Sequence, residues 1–386
     1  MIDTTEDLAE LSERARQSGC VALDTEFVWE RTYYPRLGLV QVGWSEDDSF
    51  LVDVTAIDDL EPLGRLIEDP DVVKILHDAQ QDLTILRRVT GGRPKNIFDT
   101  QRAAGFADLR SSISLAGLLR TMLGVDLPKT ESRTDWLRRP LSKSQIAYAL
   151  DDVRHLPALR EKLLDRVAEK GHLEWLREEM AAYDDLVLYE EKDPHEQYKR
   201  LSGKGRLGPR ERAVLRELAA WREEEARLGD RPRGFVAPDA ALAQWAKRKP
   251  RSEEEVRSMK GFSEKQARRH GAAIAEAVAR GLDVPLDEQP RAAGRPEDED
   301  AVDARLYLAL SYLKGKCLAE GIDPALVASR ADMQAVVAEE VEAATNGHLL
   351  LSGWRRDFIG GDLLELLRGE RSVEVDPETG LPMLAS

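Results

Sequence analysis

Cysteine is nearly missing from this sequence: Cys20 and Cys317 are the only two in 386 residues. They are too few and too far apart for a disulfide framework or a cysteine-rich zinc site. Aromatic residues are scarce at 6%, yet hydrophobic residues make up 42%. That is enough to bury several cores and to exclude wholesale disorder. No run of 18 apolar residues occurs, so no membrane-spanning helix is expected. The opening MIDTTEDLAELSERARQSG reads as an acidic amphipathic helix, without the basic start and apolar centre of a secretory signal. Positive charge is also in deficit, with 56 lysines and arginines against 72 aspartates and glutamates, a net charge of −16. A protein that coats nucleic acid by bulk charge is thereby excluded. A local basic groove, or an acidic site that meets phosphate through cations, is not. The expected setting is soluble, reducing and cytoplasmic.

What is present divides into an α/β stretch and then helices. In residues 1–172, CVALDTE, DVVKILH and NIFDTQ read as short strands. LGLVQVGW and SFLVDV read as a hairpin. LSKSQIAYALDDVRHLPALREKLLDRVAEKG reads as a long helix, with Ser142 as its cap and Pro157 as a possible kink. Residues 173–204 read as a helical linker that ends in a basic stretch, and 205–284 as a helical domain. Residues 285–303, PLDEQPRAAGRPEDEDAVD, are proline-rich and acidic and read as a solvated linker. A second helical domain is expected over 304–372, and a poorly ordered tail over 373–386.

Three acidic patterns stand out. Asp24 and Glu26, two apart at the end of the first strand, share a face, with Thr25 pointing away. Asp82 follows in HDAQQDL, four residues after Asp78, which could itself cap the helix. Tyr148 and Asp152 are four apart on a later helix, whereas Asp151 is turned about 100° aside. Alone, each pattern is compatible with solvated surface chemistry. Clustered, such carboxylates repel one another unless cations neutralise them, and oxygen ligands suit magnesium or manganese rather than zinc.

The order of these patterns resembles the exonuclease superfamily named for its Asp-Glu-Asp-Asp quartet, in its tyrosine-type branch. Within it, LDTEFVWERTYYPRLGLVQV, KILHDAQQDLTIL and KTESRTDWLRRPLSKSQIAYALDDVRHL resemble the three motifs of the ribonuclease D family. The resemblance implies a ribonuclease H-like mixed-sheet exonuclease domain, followed by two small all-α domains. It implies a 3′–5′ exoribonuclease that trims transfer-RNA precursors and other small structured RNAs and releases 5′-mononucleotides. It further implies two divalent cations, Mg²⁺ or Mn²⁺. By the resemblance, Asp24 bridges them, Glu26 and Asp152 complete the first, and Asp82 holds the second largely through water. Tyr148, protonated at neutral pH, orients the attacking water. Phe27 could stack on a terminal base, Arg133 could meet phosphate, and His77, beside the second motif, is a third candidate for substrate binding. Trp136 reads as packing. The same metal site could serve a DNA exonuclease, and a decayed binding protein is the remaining alternative.

Residues 207–281 resemble the HRDC domain through Leu215, Trp221-Arg222, Val236-x-Pro-Asp, Trp245-Ala246, Pro250, Gly261-Phe262 and Gly271. LLLSGWRRDFIGGDLLELL (349–367) resembles the end of a second such domain. Basic clusters run from Lys199 to Arg216, through Lys247, Arg248, Lys249 and Arg251, and then Lys265, Arg268 and Arg269. They mark the first module as a candidate RNA contact.

Overall fold

The short parallel strands place the carboxylates at one edge of a sheet. The computed structural model describes residues 1–128, 134–201, 207–259, 264–290, 299–338 and 347–385. Helix α1 (Thr5–Gln17) is capped by Thr4, whose hydroxyl accepts the Asp7 N–H at 3.1 Å. Strands β1 (Cys20–Val28), β2 (Arg36–Gly43) and β3 (Ser49–Val52) follow, then α2 (Glu61–Glu68), β4 (Val73–Leu76), α3 (Gln80–Thr90), β5 (Ile97–Asp99) and α4 (Thr100–Phe106). The sheet order is β3-β2-β1-β4-β5. β2 and β3 pair antiparallel, Val40 opposite Val52, as the hairpin reading expects. β1, β4 and β5 run parallel, Ala22 beside Ile75 and Ile75 beside Phe98. Their carboxyl ends therefore open on one side, where ligands of such sheets bind.

Helices α5 (Leu115–Leu123), α6 (Lys143–Arg154), α7 (Leu156–Glu169) and α8 (Leu173–Ala181) complete this part. The long helix expected after Leu141 is two, broken at His155, because Pro157 lies in the first turn of the second and supplies no N–H to continue the first. Ser142 does cap α6, in a reciprocal box with Gln145 at 3.1 and 2.9 Å.

The described residues fall into two compact units. One comprises Met1–Phe27, Leu37–Tyr189 and Pro296–Ser386, the other Val28–Arg36 and Glu190–Arg295. In the second unit, α9 (Pro209–Leu228), α10 (Arg233–Val236), α11 (Asp239–Arg248), α12 (Glu253–Arg257) and α13 (Glu264–Asp283) surround Leu215, Trp221, Trp245, Val256 and Ile274. Gly281 lets α13 press on α9, for a Cβ there would stand 2.4 Å from Val214 Cα. Gly261 and Phe262 of the HRDC-like pattern lie outside the described residues. The segment joining β1 to β2 belongs to this unit. Asp230 accepts the backbone N–H groups of Tyr33 and Tyr34, each at 3.0 Å, and the Tyr33 hydroxyl meets buried Glu223.

The sequence sets residues 304–372 apart as a domain, but contacts join the helices after the acidic linker to the α/β unit. They are α14 (Glu299–Glu320), α15 (Pro324–Val327), α16 (Arg330–Ala338), α17 (Gly353–Arg355) and α18 (Gly361–Leu367). Asp323 accepts the Ser111 N–H and hydroxyl at 2.6 and 2.7 Å. Trp354 is buried beside Phe106 and Trp175, and its indole N–H donates to Glu179 at 3.0 Å. Arg355 pairs with the same carboxylate at 2.9 Å. The tail is likewise not loose. Strands β6 (Val373–Val375) and β7 (Pro382–Leu384) form a hairpin around an Asp376 turn, and Leu384 is buried in the unit's core.

One clamp fixes the approach to α6. Arg139 bonds both carboxylate oxygens of Asp53, the Gly38 carbonyl at 2.7 Å and the Trp136 carbonyl at 2.8 Å. A Cβ on Gly38 would stand 2.5 Å from the Trp136 oxygen. Gly38→Ala is therefore expected to destabilise the protein by about 1–3 kcal/mol through overpacking. Urea unfolding followed by tryptophan fluorescence measures it.

Candidate active site

Strand β1 outruns its pairing with β4, which ends at Ala22. Asp24 and Glu26 thus stand beyond the β4 pairing at the open end of the sheet, on one face as alternation requires. Helix α6 brings Asp152 to them. One carboxylate oxygen from each of Asp24, Glu26 and Asp152 lies within 4.8 Å of the others. Burial, reinforced by Asp82, Asp152 and Glu26, holds the Asp24 carboxyl well above the usual range. Burial, with Asp152 and Asp82, pushes Glu26 up to about 8. Burial first, then neighbouring carboxylates, pushes Asp82 and Asp152 up to about 7. The charges raising these groups are other carboxylates.

Asp82 stands outside the close trio, in the first turn of α3, and is 9% exposed. The hydroxyl of Thr25 donates to it. Thr25 therefore does not merely point away. The end of β1 lies free of β4 and close to the start of α3, so the residue between the two acids reaches the third. The entry to α3 is fixed by Asp99, which is 1% exposed. Its carboxylate accepts the N–H groups of Asp78 at 3.1 Å and Ala79 at 3.0 Å, caps α4 through Gln101 at 2.8 Å, and accepts the Tyr183 hydroxyl at 2.5 Å. Asp78 is no cap. It adopts a left-handed φ of 60° in the turn before the helix.

Tyr148 precedes Asp152 by one turn of α6. Burial, then the charges of Asp152, Glu26 and Asp24, raise its phenol above the ordinary tyrosine range, so it stays protonated. Buried Trp136 lies behind it, ring centroids 6.1 Å apart, in the packing role expected. Asp151 turns to Arg154 at 3.2 Å. Tyr148 and Asp152 border a pocket of about 260 Å³ whose far wall is Ser114, Leu115 and Ala116 at the start of α5.

The remaining candidates separate. Burial lowers the pKa of His77, leaving the ring neutral. Its Nε2 bonds the Ile113 carbonyl at 3.1 Å and its Nδ1 the Thr100 hydroxyl at 2.9 Å. With both nitrogens engaged inside the protein, His77 offers substrate no polar atom. It tethers the residue just before the α5 wall instead. Phe27 is half-buried, next along β1 from Glu26. Arg133 lies outside the described residues. Sequence reasoning missed Thr25, Asp99 and Tyr183. An aspartate directly before a helix, as in IFDTQ, is a capping signal that points to Asp99. Nothing local marks Tyr183.

All-oxygen donors, raised by burial and by one another and without an ion-pair partner for Asp24, Glu26 or Asp152 among the described residues, fit hard divalent ions. Asp24, Glu26 and Asp152 have the convergence to share one ion, and Asp82 stands near enough to Asp24 to raise its pKa.

Residues 1–168 match the 3′–5′ exonuclease family and residues 211–278 the HRDC domain. Ribonuclease D of Desulfotalea psychrophila is 39% identical over 362 residues, 93% of this chain and 96% of that protein. Ribonuclease D of Pseudomonas paraeruginosa is 36% identical, covering 93% and 95%. The crystal structure of Escherichia coli RNase D, an exoribonuclease involved in structured RNA processing, superposes with a TM-score of 0.83. It is 32% identical and covers 96% of this chain and 98% of that one.

Two expectations follow from the geometry. Between about pH 4, where an unfolded carboxyl releases its proton, and about pH 8, the folded site binds more protons than the unfolded chain. Raising pH across that window therefore destabilises the metal-free protein. In EDTA its Tm should fall by several degrees from pH 5.5 to pH 8.5, and Mg²⁺ should restore it at the higher pH, by differential scanning fluorimetry. Thr25→Val keeps the shape but removes the bond to Asp82. It should raise the Mg²⁺ concentration for half-maximal hydrolysis about tenfold with unchanged Tm.

Proposed function

This chain belongs to the ribonuclease D family and is a 3′–5′ exoribonuclease dependent on divalent metal; from that premise we propose how its residues divide the work and which RNAs it takes. The observation that carries the assignment is the convergence of Asp24, Glu26 and Asp152 on one point, with Asp82 and Tyr148 beside it. In this reading Asp24 serves both of two Mg²⁺ or Mn²⁺ ions, Glu26 and Asp152 complete the first, and Asp82 holds the second. When bound, the ions supply Lewis-acid charge that makes water nucleophilic at neutral pH and steadies the leaving oxygen of the phosphodiester.

The protein's own groups orient and exclude. Asp24, Glu26, Asp82 and Asp152 give up their protons as the ions load, which removes the repulsion that otherwise raises their pKa values. Tyr148, a neutral phenol beside Asp152, holds the attacking water by hydrogen bond and fixes its line of approach. Its raised pKa rules it out as the base near neutrality. The pocket against Ser114–Ala116 receives the terminal nucleoside, and Phe27 gives a flat surface for its base. Each cycle releases a 5′-mononucleotide.

The substrates in this reading are 3′-extended transfer-RNA precursors and other small structured RNAs, in the cytoplasm. Support comes from the similar E. coli enzyme, an exoribonuclease involved in structured RNA processing. A second, partner-like helical unit of HRDC type fits such a task. None of the described helices is long and apolar enough to cross a membrane.

Digestion of 3′-blocked and 5′-blocked RNA, with matched DNA, tests the reading. With Mg²⁺, only the RNA with a free 3′ end should shorten, one nucleotide at a time, and EDTA should stop it. Asp24→Asn should nearly abolish the reaction while the circular dichroism spectrum is kept. Tyr148→Phe should lower kcat about 100-fold with KM nearly unchanged. Wild-type kcat with raised KM would move Tyr148 from chemistry to binding.

A further inference from the structure

The wall that closes the nucleoside pocket is not fixed by its own packing. Ser114, just before α5, is exposed, and Leu115 and Ala116 are only half-buried. The position of this first helical turn is therefore set by the chain that leads into it, residues 107–114 between α4 and α5. That connection is neither helix nor strand, so its backbone groups must find partners elsewhere. A turn closes within it, the Ile113 N–H donating to the Arg110 carbonyl at 3.1 Å. His77 holds the end of the turn at the Ile113 carbonyl.

The middle of the turn is held from the far end of the sequence. One oxygen of Asp323, in the bend between α14 and α15, accepts both the Ser111 N–H at 2.6 Å and the Ser111 hydroxyl at 2.7 Å. Because one carboxylate oxygen takes both donors, Ser111 cannot turn without losing both bonds. Two backbone bonds flank this contact. The Asp108 N–H donates to the Gly321 carbonyl at 3.0 Å, and the Asp323 N–H to the Gly105 carbonyl at 2.8 Å. Gly105 permits the close approach, since a Cβ there would stand 3.0 Å from both Leu326 Cδ2 and Ser111 Cβ. Asp323 itself does not line the pocket.

We propose that Asp323 is a positioning residue for the terminal nucleotide: through Ser111 it fixes the α5 wall opposite Tyr148 and so sets the width of the pocket. The proposal rests on the reading of that pocket as the nucleoside site, and it gives the last helical block a part in substrate affinity. The wall meets the nucleoside alike before and during hydrolysis, so its displacement is read in KM rather than in kcat.

The test compares full-length variants in Mg²⁺ on a single-stranded RNA with a free 3′ end, beside calorimetric titration of adenosine 5′-monophosphate. Asp323→Ala should raise KM for the RNA and Kd for the mononucleotide about tenfold, with kcat within about twofold of the wild-type value. Asp323→Asn keeps an oxygen for Ser111 and should restore both constants. Ser111→Ala loses only the hydroxyl bond and should raise both about threefold. Asp332→Ala is the control. Asp332 accepts the N–H and hydroxyl of Ser329 at 2.8 and 2.6 Å, the same pair of bonds made within the last block. Its loss should leave KM and Kd unchanged. Wild-type KM and Kd in Asp323→Ala would overturn the proposal, as would equal increases in Asp323→Ala and Asp332→Ala, or an Asp323→Asn variant as weak as Asp323→Ala. A wild-type chain that leaves the RNA intact would instead refute the exoribonuclease reading, while the titration, which needs no hydrolysis, still reports on Asp323.

Discussion

Mutual repulsion among buried carboxylates is the constraint around which the catalytic unit is organised. Asp24, Glu26, Asp82 and Asp152 come from a strand end, one helix start and a second helix, and the last three all raise the pKa of Asp24. Such a cluster does not hold itself together. It is held by the surrounding scaffold: the parallel register that carries the end of β1 beyond β4, the Asp99 carboxylate that ties down the turn before α3, and the Ser142–Gln145 box that starts α6. Folding sets up an electrostatic cost at this edge that divalent ions relieve, so affinity for metal is stored in the protein architecture.

Much of this was legible in the sequence because it depends on short spacings. Two acids at i and i+2 on a strand and a tyrosine and an acid at i and i+4 on a helix name their faces without further information. Ser142 announced itself as a cap, and the β2–β3 hairpin by its alternation. What could not be read depends on partners far along the chain. Tyr183 reaches Asp99 over 84 residues, and Tyr33 meets Glu223 over 190. His77 looked like a group for substrate, but its two ring nitrogens are taken by Thr100 and Ile113, neither of which shares its motif. Thr25 was misjudged for a related reason. Strand alternation predicts the face of a side chain, not which helix start stands against that face.

The block beyond the acidic linker shows the same limit on a larger scale. Its helical pattern and proline-rich approach suggest a separate module. Yet Asp323, Trp354 and Arg355 find their partners at Ser111, Glu178 and Glu179. A stretch with polar flanks can still be a structural layer when its buried aromatic residues complete a core begun earlier. Removing it would uncover Phe106 and Trp175 and take Arg355 from Glu179, whose other ion pair among the described residues is with Arg102.

That return of the chain has a consequence for biosynthesis. The unit that holds the carboxylates draws on segments on both sides of the helical unit, which is made in between. A ribosome thus delivers the acidic strand well before the layer of helices that completes its scaffold. The catalytic unit can therefore close only after the helical unit has been synthesised.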